Sequence, residues 1–279
     1  MKRITAVISA LGLSAALGLS ACGGASAPKK EVTAVSLLED VEAYTKTLKS
    51  MESTLDMNIV MSGADLTSLN EEGTVTLTMD MDMQTTMDPT ANHMTGTMHM
   101  MGMDMDMEIY TVLEDSEIVN YMNVLDQWSF QRLPYNKDEM SQLSASTEEL
   151  LKHQDSLNLE EALEDTDAGK AYIVTGTIEG EDVRGILNQA ENLVGDVAAV
   201  GESLGSLDGL VMNLRYAISE KDHRPIYSEF EFSGFEPMDE EIDMSVDSYT
   251  MRIDYKGFDT VDTITVPQEV KDSAQELTQ

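Results

Sequence analysis

The chain has 279 residues, 42% of them hydrophobic, and its 52 Asp and Glu against 17 Lys and Arg give a net charge of −35. That length suits one large or two small domains. Charge of this sign excludes nucleic acid as a partner, because phosphate binding needs a basic footprint, and it disfavours direct adsorption to an anionic lipid surface. The one cysteine leaves no internal disulfide to form.

Residues 1–21 read as a signal peptide rather than a fold element. Lys2 and Arg3 precede an uncharged apolar run from Ile4 to Leu19, which ends in Leu19-Ser20-Ala21-Cys22. That ending resembles the lipobox of bacterial lipoproteins, in which the cysteine thiol receives a diacylglyceryl group and becomes the mature N-terminus. The resemblance implies that Cys22 is the lipidated residue and that the protein sits, anchored, on the extracytoplasmic face of the cell membrane. No later segment approaches the roughly 20 apolar residues needed to span a bilayer. Residues 22–33, small and polar around Pro28, read as a flexible tether. Residues 34–279 are expected to form one domain.

A first helix is expected from Leu37, Leu38, Val41, Tyr44, Leu48 and Met51 at helical spacing, with Ser36 as N-cap and Glu39 completing a capping box. The period then changes to two. Leu55, Met57, Ile59 and Met61 mark one strand, and Val75, Leu77, Met79, Met81 and Met83 a second. Asp88-Pro89-Thr90 is a turn signal, and a third strand carries Met94, Met98 and Met100. Between Met100 and Met101 the parity flips beside Gly102, so a bulge or tight turn is expected there. Met103 to Leu113 follows, then Ile118 to Val124, a turn at Asp126-Gln127, and Trp128 to Leu133.

Two short helices are expected around Leu150, Leu151, Leu157, Leu159 and Leu163. A strand follows at Ala171 to Ile178, then a helix opened by Asp182 with Val183, Ile186, Leu187 and Leu193. Residues 195–209 hold four glycines and suggest a mobile loop or loosely held helix. Strands return at Leu210 to Ser219, Pro225 to Phe235, Asp243 to Lys256 and Ile264 to Pro267, with a terminal helix from Glu269 to Leu277. Helix-then-strands occurs twice, a hint of a weak internal repeat. The fold class expected is α+β, a strongly curved antiparallel sheet or half-barrel with helices covering its concave face.

The lipobox, the tether, a first helix ending near Lys49-Ser50, a meander carrying Glu108-Ile109-Tyr110, Asn120-Tyr121 and Gln127-Trp128, and the late Ile264-Thr265-Val266-Pro267 resemble a group of uncharacterised lipoproteins of Gram-positive bacteria. That group is similar to the LolA, LppX and LprG type of lipid carrier. The resemblance spans roughly residues 32–275 and implies a half-barrel whose concavity holds acyl chains. No catalytic residue comes with it.

Residues 79–107 hold eleven of the 21 methionines. Met79, Met81 and Met83 alternate with Asp80 and Asp82, and Met103, Met105 and Met107 with Asp104 and Asp106, so thioethers share one face and carboxylates the other. Three readings of the thioether face compete. It is a plain core, since Met fills irregular gaps. Or it lines a hydrophobic ligand cavity formed by Met57, Ile59, Met61, Leu77, Met79, Met81, Met83, Met103, Met105, Met107 and Ile109. Or it holds a soft metal through His93, Met98, His99 and Met101, since thioethers select Cu(I). Strand alternation turns His99 away from Met98 and Met100, which counts against the last.

Trp128 reads as a sheet-edge or core anchor, Tyr110 and Tyr121 as caps of the meander, and His153 and His223 as solvated surface. No G-x-S-x-G elbow, S-x-x-K, H-E-x-x-H or phosphate loop is present, so no enzyme activity and no cofactor are expected. The function expected is a membrane-anchored lipoprotein that binds or carries a hydrophobic ligand, a lipid in the first place. The alternative is a structural, interaction or sensor lipoprotein with a solid core.

Overall fold

The computed structural model describes residues 32–68, 71–134, 146–180, 182–183, 209–235 and 245–277. Among these, period-two segments give thirteen strands that all join one sheet. After helix α1 (Ala34–Thr45) come β1 (Ser50–Ser62), β2 (Thr74–Met87), β3 (Thr90–Met100), β4 (Met103–Glu114), β5 (Glu117–Val124) and β6 (Gln127–Pro134). Helix α2 (Ser146–Lys152) leads into β7 (Leu157–Leu159), β8 (Glu164–Thr166), β9 (Gly169–Glu179), β10 (Val211–Ser219), β11 (Pro225–Ser233) and β12 (Ser245–Phe258). Helix α3 (Gln268–Ser273) and β13 (Gln275–Glu276) close the order.

The strands lie side by side as β13-β6-β5-β4-β3-β2-β1-β12-β11-β10-β9-β7, with β8 also on β9. Two meanders, β1–β6 and β9–β12, therefore meet where β1 pairs antiparallel with β12, Met57 opposite Met251. The register slips between Glu52 and Ser53 and between Val60 and Met61, which leaves Lys256 and Asp247 as the extra residues of bulges at the two ends of the pairing. Bulges bend and twist a strand locally, and the result is a large, open, curved sheet.

Three hairpins use two-residue turns with both residues at positive φ: Met101-Gly102 (54° and 75°), Asp115-Ser116 (48° and 68°) and Leu125-Asp126 (52° and 60°). Such turns match the twist of the strands they join. The parity flip at Met100/Met101 is thus a tight turn. The turn expected at Asp126-Gln127 lies one residue earlier, which leaves Leu125 exposed.

The fold is mostly β rather than α+β, and its described helices are short and divided between the two faces. Helix α1 starts earlier than expected: Thr33 is the N-cap, and the Ser36 hydroxyl closes the capping box by accepting from the Thr33 N–H at 2.9 Å. Ser36 and Glu39 matched the same pattern one turn later, but starting at Thr33 adds Ala34 to the buried stripe of Leu37, Leu38 and Val41. The helix ends at Thr45, so Leu48 and Met51 lie beyond it.

Leu157 and Leu159 belong to a strand and not to a helix, because Leu157 lies opposite Gly176, whose missing side chain leaves room for the leucine. Ile264 to Pro267 forms no strand, and the terminal helix is confined to Gln268–Ser273. The signal peptide, Cys22, most of the tether, and the helix and loop expected over 184–208 lie outside the described residues.

Helices α1 and α2 share one hydrophobic cluster with Leu55, Met57, Met79, Met81, Met107 and Ile109. Val270 of α3, with Val266, instead covers Tyr110, Val112, Val119 and Tyr121, which strand alternation places on the opposite face. Tyr110 and Tyr121 are therefore buried under the C-terminal segment rather than capping the meander, and Trp128 packs beside Tyr110 at 6.0 Å.

Gly96 marks the tightest point of this packing. A Cβ there would lie 2.0 Å from the Asp80 carbonyl oxygen and 2.7 Å from the Met81 sulfur. Gly96→Ala is expected to destabilise by about 2–3 kcal/mol through overpacking, measured as a lower denaturation midpoint. Gly102→Ala, with nothing within 4 Å of the new Cβ but φ of +75°, should cost only about 1 kcal/mol of backbone strain.

Candidate functional site

The strand registers build the two faces row by row. On the apolar face one row runs Leu214, Phe230, Met251, Met57, Met79, Met98, Met105 from β10 to β4. The next runs Tyr216, Ser228, Ile253, Leu55, Met81, Gly96, Met107, Val124. The third joins Ile59, Leu77, Met100 and Met103. All eleven residues expected to line a cavity thus share this face, but they do not share an environment. Met57, Ile59, Met79, Met81, Met107 and Ile109 are buried, Met79 and Met81 at 2% and 3% exposure. Met61, Leu77, Met83 and Met105 are half-buried, and Met103 is 53% exposed. The face is closed in its centre and opens toward the β3–β4 turn and along β5, where Met122 and Val124 are half-buried.

A polar row borders the same face: Thr85, Asn92, Thr111, Asn120 and Gln131. The Oδ1 atoms of Asn92 and Asn120 are buried and find no hydrogen-bond partner among the described residues.

The candidate soft-metal residues are not brought together. The His93 Nε2 lies 2.9 Å from Glu108, and its ring stacks on Tyr110 at 4.2 Å, on the charged face. The His99 Nδ1 lies 2.8 Å from Asp104, and its Nε2 3.4 Å from Asp80. The hydrogen bond to Asp104 raises the His99 pKa. Met98 packs into the core from the other face, and Met101 is exposed in the turn. His223, expected to be solvated, is half-buried with Nδ1 2.7 Å from Asp40, while the His153 Nδ1 lies 3.6 Å from Asp182.

The charged face carries an arrangement the sequence reading missed. An open cleft of about 500 Å³ spans β2, β1, β12, β11 and β10, with Asp56, Asp80, Arg215, Glu229, Glu231 and Arg252 among its lining. Arg215 is bonded to Glu160 at 2.6 Å, to Glu164, and to the Tyr227 hydroxyl at 3.1 Å. Arg252 is bonded to Asp254 at 2.8 and 2.9 Å and to Glu229, and stacks over Tyr227 at 4.0 Å. Arg215 and Arg252 stand on the polar parity of their strands, and that was the available signal. Hydrogen bonds from these guanidinium groups hold Glu164 and Asp254 below the usual carboxylate range. Asp56 is pushed the other way, by partial desolvation and by the hydrogen-bonded Asp80 carboxyl opposite it.

An open, curved, mostly antiparallel sheet with one apolar and one charged face is the class that fold and site define. The chain belongs to the family DUF6612, described as a family of unknown function, which matches residues 33–275. No curated protein matches it. Among solved structures it is similar to a β-barrel-like protein of the domain of unknown function DUF1849 from Brucella abortus, at 10% identity and a TM-score of 0.28, over 77% of this chain and 100% of that one. A porin-like protein from Bacteroides uniformis is similar at 8% identity and a TM-score of 0.24, over 73% and 95%. Likeness this low says nothing about what the chain does. Among the described residues no helix is long and apolar enough to cross a membrane.

The carboxyl pair sets a pH dependence. Because the folded-state pKa of Asp56 lies above its ordinary 3.8, its proton stabilises the fold at low pH, and that contribution is lost as pH rises through the titration. Glu164 and Asp254, shifted down, contribute the opposite way, stabilising above their ordinary values and losing that on acidification. Asp56→Asn is expected to raise the thermal midpoint near neutral pH, by at most about 1 kcal/mol given solvent screening. The gain should fall away on acidification through the Asp56 titration, as wild-type Asp56 takes up its own proton. A midpoint series against pH checks both limbs.

Proposed function

We propose that the protein is an extracytoplasmic, lipid-anchored binding protein, not an enzyme, that takes an amphipathic lipid on the open part of its methionine face. The observation that carries this reading is the half-buried strip of Leu77, Met98, Met105, Met122 and Val124, continuous with the closed core of Met79, Met81, Met94 and Met107. Flexible thioethers adapt to apolar ligands of varied shape. The acyl chain lies along the strip, and the polar end lies toward the bordering row of Asn92, Thr111 and Asn120.

The resemblance to LolA, LppX and LprG carriers supports the same reading. The lipobox ending in Cys22 supports a diacylglyceryl anchor, each buried methylene adding about 0.8 kcal/mol of membrane affinity. One observation favours a second reading, an interaction or sensor lipoprotein with a solid core: the central methionines are closed off, Met94 at 2% exposure.

Mass spectrometry of lipids released on denaturing natively purified protein, expressed from Gly23, is expected to recover an acyl lipid. A fluorescent fatty acid should bind, and Met98→Asp with Met122→Asp should weaken it about tenfold or more, since each tenfold needs only about 1.4 kcal/mol. No recovered lipid together with no probe binding would establish the solid-core reading instead.

A further inference from the structure

We propose that Met98, Met100, Met103 and Met105 form a thioether-only site for a soft monovalent ion, Cu(I), at the open end of the β3–β4 hairpin. The turn at Met101-Gly102, with both residues at positive φ, fixes the hairpin register. That register sets Met100 opposite Met103 and Met98 opposite Met105. Strand alternation puts all four side chains on the same face as Met79, while Asp104 and Asp106 turn to the other.

Directly opposed residues have Cβ atoms about 4.5–5.5 Å apart, and successive rows on one face lie about 7 Å apart. Each methionine has three rotatable bonds with which to cover such distances. Four sulfurs are therefore within rotamer reach of a point between the two rows without moving the backbone.

Exposure separates these four from the closed methionines of the same sheet. Met79, Met81, Met94 and Met107 are 2–4% exposed and are closed to an incoming ion. Met103 is 53% exposed, and Met98, Met100 and Met105 are half-buried. Core packing gives little reason for a methionine as exposed as Met103.

Neutral thioethers are soft donors that select Cu(I) over calcium, magnesium and zinc, which prefer oxygen, imidazole or thiolate. They carry no proton to lose, so their affinity holds in mildly acidic conditions where imidazole ligands fail. Asp104 and Asp106 of β4 and Asp80 of the neighbouring β2, exposed on the reverse of the sheet, add a negative field that raises the local concentration of cations. His93 and His99 take no part, since Glu108 and Asp104 hold them on the charged face.

The test is anaerobic titration of the full chain with Cu(I) in competition with a chromogenic chelator, with Ag(I) as a redox-inert check. One ion is expected to be retained, with unchanged affinity on mild acidification and in the variant His93→Ala/His99→Ala. The variant carrying Met98→Leu, Met100→Leu, Met103→Leu and Met105→Leu, which conserves volume, should bind Cu(I) about a hundredfold more weakly.

Should that variant fold poorly, Met103→Leu with Met105→Leu changes the two residues of the outer strand and should still weaken binding about tenfold. No retained ion, unchanged affinity in the folded leucine variants, or loss of binding in the histidine variant overturns the proposal. Cu(I) retention and fatty-acid binding are each measured on the unsubstituted chain, so one positive result beside one negative result separates this site from the lipid-binding reading. Failure of either leaves the other standing.

Discussion

The pairing of β1 with β12 is the contact on which the rest depends. It brings residues 50–62 against 245–258, and no local signal specifies it. Without it the chain would fold as two meanders, each with a long unpaired edge, and exposed edges invite association with other chains. Loop closure over so long a separation is entropically costly and slow, so the seam must be strongly matched. Met57 against Met251, Leu55 against Ile253 and Ile59 against Tyr249 supply the match on one face, and Asp56 against Arg252 on the other. Helix α1 then packs on the apolar side of that seam through Leu37, Leu38 and Val41, all fully buried. Each such side chain contributes about 1.5–3 kcal/mol.

The same alternation that builds the apolar face concentrates charge on the other. Asp80, Asp56, Arg252, Glu229 and Arg215 follow one another across five strands in a single row. Like charges directly opposed are unfavourable and unlike charges favourable, and the row contains both: Asp56 against Asp80 on one side, Arg252 between Asp56 and Glu229 on the other. The arginines are bonded by carboxylates and by the Tyr227 ring, whereas partial desolvation and the Asp80 carboxyl opposite raise the pKa of Asp56. A net charge of −35 is thus not spread evenly in its effects. It is offset by two arginines along β10–β12, while β1 and β2 have only Arg252 opposite Asp56 and the His99 ring beside Asp80.

Strand existence and parity were legible in the sequence because they are set by neighbours two residues apart. Met79, Met81, Met103 and Met105 were read onto the correct face, and the parity flip at Met101-Gly102 onto a turn, with no tertiary information. What escaped was everything decided by distant partners. Leu157 and Leu159 looked helical by spacing, but the gap above Gly176 is visible only once β7 lies on β9. Ile264 to Pro267 has strand composition, yet it covers the Tyr110 and Val119 side of the sheet instead of extending it. The cleft was hidden for the same reason, since its residues come from five strands and become neighbours only through the β1–β12 seam.

Burial divides the methionine stretch into two populations that composition cannot distinguish. Met79, Met81, Met94 and Met107 do what leucine would do, with the added tolerance of a flexible chain in the tight packing around Gly96. Met98, Met100, Met103 and Met105 sit where the cover ends, and there the argument from packing weakens with every increment of exposure. A thioether at a wet edge has two properties that leucine lacks: it bends to fit a passing apolar surface, and it donates a lone pair. The face grades from one population to the other over two rows of the β3–β4 hairpin, so the transition from scaffold to binding surface falls between Met107 and Met103.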